Sequence, residues 1–173
     1  NYLAEQIVEY FGDGSSFGVD VRYLREKEKL GTAGCLALMS EATSDYLLIV
    51  NGDVLSDLDF SELLRTHEES RNVVTAALGY AEFRVPFGVV ELCDDQINSV
   101  EEKPSLRFLT LMGIYVFDRK IVSNLDIHGY LDMPDLINEL SNNGHKIGAF
   151  FAHEKWLDVG DMDRLAMAQI NWS

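Results

Sequence analysis

The run Tyr46-Leu47-Leu48-Ile49-Val50 is continuously apolar and stops on Asn51-Gly52-Asp53. A run this short and this uniformly apolar reads as a strand buried on both faces, as in a parallel sheet covered by helices. Asn-Gly-Asp is turn chemistry, so the strand ends there and delivers an aspartate to its C-terminal end. A second such arrangement stands far away in sequence, at Trp156-Leu157-Asp158-Val159-Gly160-Asp161. If both strands lie in one parallel sheet, the carboxylates of Asp53 and Asp158 can converge on one divalent cation. Hard cations such as Mg²⁺ take oxygen ligands and often share them between one or two carboxylates and a substrate phosphate.

The rest of the chain alternates in the same manner. Helical patterns cover roughly Leu3 to Phe11, Ala33 to Glu41, Asp59 to Glu69, Leu131 to Asn142 and Met162 to Ile170. Strand patterns cover Val19 to Leu24, Tyr46 to Val50, Val73 to Tyr80, Leu111 to Phe117 and Ile147 to Ala152. Phe87 to Leu92 and Ile97 to Glu102 flank Cys93-Asp94-Asp95-Gln96 and read as a hairpin. Alternating strands and helices predict an α/β sheet covered on both faces; the hairpin makes it mixed. Ligands of open α/β sheets bind at the carboxyl ends of strands, where Asp53 stands.

Composition narrows the partners. The 173 residues suffice for one domain with a sizeable core. Acidic residues outnumber basic ones 29 to 14 for a net charge of -15, which argues against nucleic acid or an anionic membrane as the main partner. Phosphorylated small molecules remain compatible, because one cation or lysine reverses the field inside a pocket. The longest apolar run is far short of a membrane span. Cys35 and Cys93 fit no metal-ligand spacing and suggest no disulfide framework, which points to a reducing compartment, the cytoplasm. The histidines His67, His128, His145 and His153 show no metal or triad spacing.

Other segments carry chemistry more ambiguously. Gly31-Thr32-Ala33-Gly34 opens a helix, whose N-terminal N–H groups could meet a base edge or an anion; equally, Thr32 could be an N-cap alone. Glu101-Glu102-Lys103-Pro104 puts a lysine at a strand tip. It reads either as a solvated ion pair or as a phosphate clamp beside a glutamate that bonds sugar hydroxyls. Asp57-Leu58-Asp59 mimics the Asp-x-Asp metal motif of some glycosyltransferases, but the spacing of Asp59 to Glu62 favours helix capping.

Taken in order, GTAG, LLIVNGD, PFGVVE, EEKP, GIYVF and WLDVG resemble the sugar-1-phosphate nucleotidyltransferases over essentially the whole chain. The LGTAG form at Leu30 to Gly34 is most similar to mannose-1-phosphate guanylyltransferases. The resemblance implies a Rossmann-like, GT-A-type α/β/α fold with a mixed, mainly parallel sheet, and a single nucleotidyltransferase domain. It implies Mg²⁺-dependent transfer of a nucleoside monophosphate from a nucleoside triphosphate, GTP favoured, to a hexose 1-phosphate, with release of pyrophosphate. Position by position, it implies Mg²⁺ ligands at Asp53 and Asp158 and a nucleobase pocket at Glu26, Gly31 and Thr32. It further implies a sugar pocket at Gly88, Glu102 and Tyr115, a phosphate clamp at Lys103, and a homo-oligomer.

Two positions depart from the family. Asp161 stands where a threonine often follows the WxDxG glycine, and Met112 precedes Gly113 where a smaller residue is usual. The GGxGTRL-type loop that cradles the triphosphate occurs nowhere among these residues, and Asn1 to Phe11 resembles the helix after the family's second strand. The expectation is therefore an N-terminally truncated domain, inactive or nearly so alone, with an unpaired sheet edge that favours self-association. Two rival readings are a regulatory protein that binds sugar nucleotides without catalysis, and a glycosyltransferase using Asp57 and Asp59.

Overall fold

The structure, a computed structural model, describes residues 4–39 and 44–172. In chain order the elements are α1 (Ala4–Phe11), α2 (Gly31–Gly34), β1 (Tyr46–Val50), β2 (Val54–Ser56), α3 (Phe60–Ser70), β3 (Val74–Arg84), β4 (Gly88–Cys93) and β5 (Gln96–Glu102). They continue with β6 (Ser105–Asp118), α4 (Arg119–Ser123), α5 (Met133–Asn142), β7 (Ile147–Phe151), β8 (Trp156–Asp158) and α6 (Met162–Asn171).

Four strands form one sheet in the order β1-β6-β3-β7. Backbone pairing gives their directions. The Asn51 N–H donates to the Gly113 carbonyl, and the Arg119 N–H to the Asp45 carbonyl, so β6 runs against β1. The Val73 N–H donates to Lys146 and the Ala152 N–H to Leu78, so β7 runs with β3. Along the other edge of β3 the Asp118 N–H donates to the Val73 carbonyl and the Thr110 hydroxyl to the Gly79 carbonyl, so β6 opposes β3 as well. Three strands thus share one direction and β6 alone is reversed, so the sheet is mixed as expected of a Rossmann-like fold, but through β6 and not through the β4–β5 hairpin, which pairs apart from it. Among the described residues β1 is an outer strand of that sheet. Two further pairs, β2 with β8 and β4 with β5, are antiparallel.

The chain divides into two compact units. The first comprises Asn1–Leu48, Arg71–Val74 and Phe117–Ile147. Its buried residues include Ala33, Leu36, Val74, Phe117 and Val122. Met133, Leu136 and Leu140 of α5 are also buried, at the three- and four-residue spacing that sets one helical face inward. The second comprises Ile49–Ser70, Thr75–Val116 and Gly148–Ser173. Leu63, Ala76, Ala77, Met112, Ile114, Tyr115, Val116 and Phe150 are buried there. The predicted start of α3 holds: the Asp59 carboxylate accepts the Ser61 N–H at 2.8 Å and the Glu62 N–H at 3.3 Å. With its carboxylate occupied by the helix terminus, Asp59 acts as a cap.

Two predicted elements differ. Val19 to Leu24 forms no strand. Its backbone folds back instead, with the Val19 and Val21 N–H groups donating to the carbonyls of Gly14 and Asp13 and the Tyr23 hydroxyl to that of Gly12. The helix expected from Ala33 is one α-helical turn followed by a 3₁₀ turn over Cys35–Leu38; Ser40 and Glu41 lie outside the described residues. That turn is anchored from outside, since the Ala33 and Gly34 N–H groups both donate to the Leu131 carbonyl. The β4–β5 hairpin forms as expected, with every one of its residues exposed.

Candidate functional site

Asp53 follows β1 through a tight turn closed by the Val54 N–H on the Asn51 carbonyl. Chain reversal there starts β2, which pairs with β8 in the register Val54↔Asp158, Leu55↔Leu157, Ser56↔Trp156. The Val159 N–H then donates to the Asp53 carbonyl at 2.8 Å. The two aspartates therefore meet through a short antiparallel ladder, and the expectation of two strands in one parallel sheet is corrected. A turn directly after β1 sends the chain into a new strand pair, so convergence is local to the turn.

Gly160 shows how close the two side chains come. A Cβ built there would lie 2.9 Å from Asp53 Oδ2 and 3.0 Å from Asp158 Oδ1. Both oxygens thus sit within 3.0 Å of a single point, on a backbone whose φ is not in the left-handed region. Space, rather than conformation, asks for glycine. The Gly160 N–H donates to Asp158 Oδ1 at 2.8 Å and fixes that carboxylate. Two convergent carboxylate oxygens, one on exposed Asp53 and one on half-buried Asp158, suit a hard divalent cation that draws its other ligands from phosphates and water. Among the described residues no cluster of three or more carboxylate, histidine or cysteine side chains forms a self-sufficient metal cage.

Gly113 supports this turn from β6. Its φ is +75°, and a Cβ there would lie 2.7 Å from Asn51 Nδ2. Met112, the larger residue before it, is accommodated where Gly79 on β3 leaves room: a Cβ on Gly79 would sit 3.2 Å from Met112 Cγ. The Trp156 indole N–H donates to the Met112 carbonyl at 3.1 Å and so ties β8 to β6.

The hairpin carries Gly88, Glu102 and Lys103. Gly88 pairs directly with Glu102, whose Oε2 is 3.3 Å from the position a Cβ on Gly88 would take. Lys103 adopts a left-handed φ of 51° ahead of Pro104, and its N–H donates to the Phe87 carbonyl. Its ammonium lies 3.7 Å from Glu102 Oε1, with both side chains largely exposed. Among the described residues these two pair with each other and with neither aspartate. Tyr115 lies in the core on β6, 3% exposed, and burial raises its hydroxyl pKa.

Glu26, Gly31 and Thr32 belong to the first unit. Glu26 Oε2 accepts the Leu30 N–H at 3.4 Å, and the Glu26 charge joins burial in raising the pKa of the Cys35 thiol. Gly31 has a φ of +78°, and a Cβ there would lie 2.5 Å from the Leu131 carbonyl. The Thr32 N–H donates to Asp132 Oδ1 at 3.1 Å. The N–H groups of Thr32, Ala33 and Gly34 are thus all engaged, which corrects the expectation of a helix start with free donors. Thr32 does cap a helix, but a different one: its hydroxyl accepts the Met133 N–H of α5 at 2.8 Å.

Asp132 was not among the expected residues. It accepts the Tyr130 hydroxyl at 2.8 Å as well as Thr32, and these bonds, Tyr130 first, hold its carboxyl below the ordinary range. The signal in sequence is Asp132 ahead of Met133-Pro134, an N-cap followed by an early proline. Arg164 was missed too. It bonds Asp161 and Asp158, and Asp161 sits three residues before it, as a helix cap does.

Comparison with known proteins gives the family and the fold. The profile of a family described as nucleotidyl transferase matches residues 1–172. The chain is 28% identical over 180 residues to a UTP–glucose-1-phosphate uridylyltransferase of Synechocystis, covering 92% of this chain and 46% of that protein. It is 31% identical over 121 residues to a mannose-1-phosphate guanylyltransferase of Mycobacterium tuberculosis, covering 66% of this chain and 33% of that protein. The chain thus spans less than half the length of these curated relatives. Among solved structures, a putative glucose-1-phosphate thymidylyltransferase from Bacillus anthracis superposes with a TM-score of 0.71 at 23% identity, covering 96% of this chain and 71% of that one. HddC from Yersinia pseudotuberculosis superposes with a TM-score of 0.72 at 19% identity, covering 99% and 76%. By the extent of the family match, supported by a common fold, this chain belongs to the nucleotidyl transferase family.

Proposed function

We propose that the protein is a sugar-1-phosphate nucleotidyltransferase that transfers a nucleoside monophosphate from a nucleoside triphosphate to a hexose 1-phosphate. The observation that carries this is the convergence of Asp53 Oδ2 and Asp158 Oδ1 beside Gly160. In the reaction, a phosphate oxygen of the sugar 1-phosphate bonds to the α-phosphorus of the triphosphate. The bond from that phosphorus to the β-bridging oxygen breaks, and pyrophosphate leaves with its electron pair. Asp53 and Asp158 would hold Mg²⁺, which supplies neutralisation of charge on the phosphate oxygens. Lys103 offsets the charge of the attacking phosphate, and Glu102 accepts hydrogen bonds from sugar hydroxyls. By resemblance, Glu26, Gly31 and Thr32 are assigned to the nucleobase and Gly88 to the sugar, whereas Tyr115, 3% exposed in the core of β6, offers a sugar almost no surface. The direct Gly88–Glu102 pairing supports the sugar-side assignment of those two residues.

GTP is the favoured nucleotide, from the LGTAG form and the guanylyltransferase relative. On this reading the protein acts on small molecules as a homo-oligomer, and in the cytoplasm, the compartment that two free cysteines fit. Among the described residues no helix is long and apolar enough to cross a membrane. No GGxGTRL-type loop occurs in these 173 residues, so on this reading they turn over poorly by themselves. The test is pyrophosphate release by the intact protein with each common nucleoside triphosphate and a panel of hexose 1-phosphates. Release that needs both substrates and Mg²⁺, fastest with GTP, supports the proposal. Transfer of a sugar from a sugar nucleotide to an acceptor, with no pyrophosphate released, contradicts it.

A further inference from the structure

Arg164 stands beside the paired aspartates and has no part in the reaction just described. Its backbone N–H donates to Asp161 Oδ1 at 2.8 Å, where Asp161 caps α6. Its side chain returns to the same residue, with Nε 3.1 Å from Asp161 Oδ2. The guanidinium then reaches past its own helix, placing Nη1 3.4 Å from Asp158 Oδ2. Asp158 is therefore held from two sides. Its Oδ1 takes the Gly160 N–H and lies on the Asp53 side, while its Oδ2 takes Arg164.

We propose that Arg164 is the built-in counter-ion of Asp158, a positioning residue that turns one carboxylate oxygen toward Asp53 and sets how tightly the pair binds a divalent cation. This rests on the reading of Asp53 and Asp158 as cation ligands. A planar guanidinium with fixed donors can span two carboxylates at once, which a lysine ammonium at the same position cannot do with the same geometry. Asp161 gives it a fixed seat, so the position that departs from the family's usual threonine has a structural use here: it both starts α6 and anchors the arginine. Two effects oppose each other. Orientation of the carboxylate favours cation binding, whereas a resident positive charge opposes it. The Arg164 and Asp158 side chains are 51% and 44% exposed, so each carboxylate rotamer costs little to restrict. Repulsion between a divalent ion and a guanidinium sharing one carboxylate is the larger effect, even in a solvent-like dielectric. The outcome is a weakened site that depends on phosphate oxygens for completion, so that cation and nucleotide are retained together.

The experiment titrates the intact protein with Mn²⁺ alone, followed by its electron paramagnetic resonance signal. R164M is expected to bind Mn²⁺ roughly threefold to tenfold more tightly than the wild type, the effect narrowing as salt is raised. R164Q, which also removes the charge, is expected to shift the same way and stands in should R164M fail to fold. R164K, which keeps the charge, stays within about twofold of the wild type. Unchanged or weaker binding in R164M and R164Q overturns the proposal, as does tightening of equal size in R164K. D158N separates the two readings. Loss of Mn²⁺ binding in D158N with no tightening in R164M removes only the role of Arg164, whereas wild-type binding in D158N removes the cation site itself.

Discussion

Asp53 and Asp158 face each other across the α-carbon of Gly160, with one oxygen of each within 3.0 Å of the place a methyl group would fill. Substituting Gly160→Ala should therefore push at least one carboxylate off its position. The backbone there tolerates alanine, so the fold survives and the cost falls on side-chain rotamers, about 0.5–1.5 kcal/mol. The expected outcome is roughly a tenfold loss of Mn²⁺ affinity with an unchanged circular dichroism spectrum. Equal affinity in the variant would show that the ion binds elsewhere.

Gly113→Ala attacks the same turn from beneath. A left-handed φ costs an L-residue about 1–2 kcal/mol, and the new methyl group would press on the Asn51 amide. Denaturant titration should show a loss of that size or more. Cation affinity should fall with it, because Asn51 opens the turn that carries Asp53.

Thr32 and Asp132 exchange partners in the first unit. Asp132 precedes α5 but gives its carboxylate to Thr32 and Tyr130, and Thr32 caps α5 in its place. Thr32→Val keeps the shape and removes the hydroxyl. Loss of a helix cap predicts destabilisation of about 1 kcal/mol in a melting experiment, with no effect on Mn²⁺ binding.

The same group gives a pH dependence. The Tyr130 hydroxyl and then the Thr32 N–H hold the Asp132 carboxyl low, so its contribution is fully present above the unfolded-state value of about 3.9 and fades as pH falls through the lower folded one. The Tyr130 hydroxyl is raised by Asp132. Its contribution is present below about 10 and lost as pH rises through the raised folded value. Tyr130→Phe should flatten the alkaline limb of a stability profile; an alkaline limb identical to the wild type would count against this pairing.

How much of this was legible in sequence depended on whether an interaction was local. The hairpin around Asp94 and Asp95 and the Asp59 cap each follow from a few adjacent residues, and both form as read; the apolar run ending at Val50 forms its strand, but as an outer strand with Leu48 and Val50 exposed rather than buried on both faces. Val19 to Leu24 has a strand's alternation, but alternation cannot supply a ladder partner, and none forms. The β2–β8 pair was invisible because strands of three residues carry no periodicity, so Asp53 and Asp158 converge by a different route than the one expected. The Gly31 to Gly34 turn looked like a helix start with open donors; Leu131 and Asp132, a hundred residues on, fill them. Arg164 followed a legible cap at Asp161, yet its reach to Asp158 depends on how α6 leaves β8, which spacing alone does not reveal.

The central claim is that two aspartates from distant parts of the chain form one cation site. Mn²⁺ affinity should be measured for the wild type, D53N, D158N and the double variant. Residues that share a ligand are non-additive, so each single variant should lose most of the affinity and the double variant little more. Losses that add in the double variant, or a single variant that binds as the wild type does, would contradict a shared site.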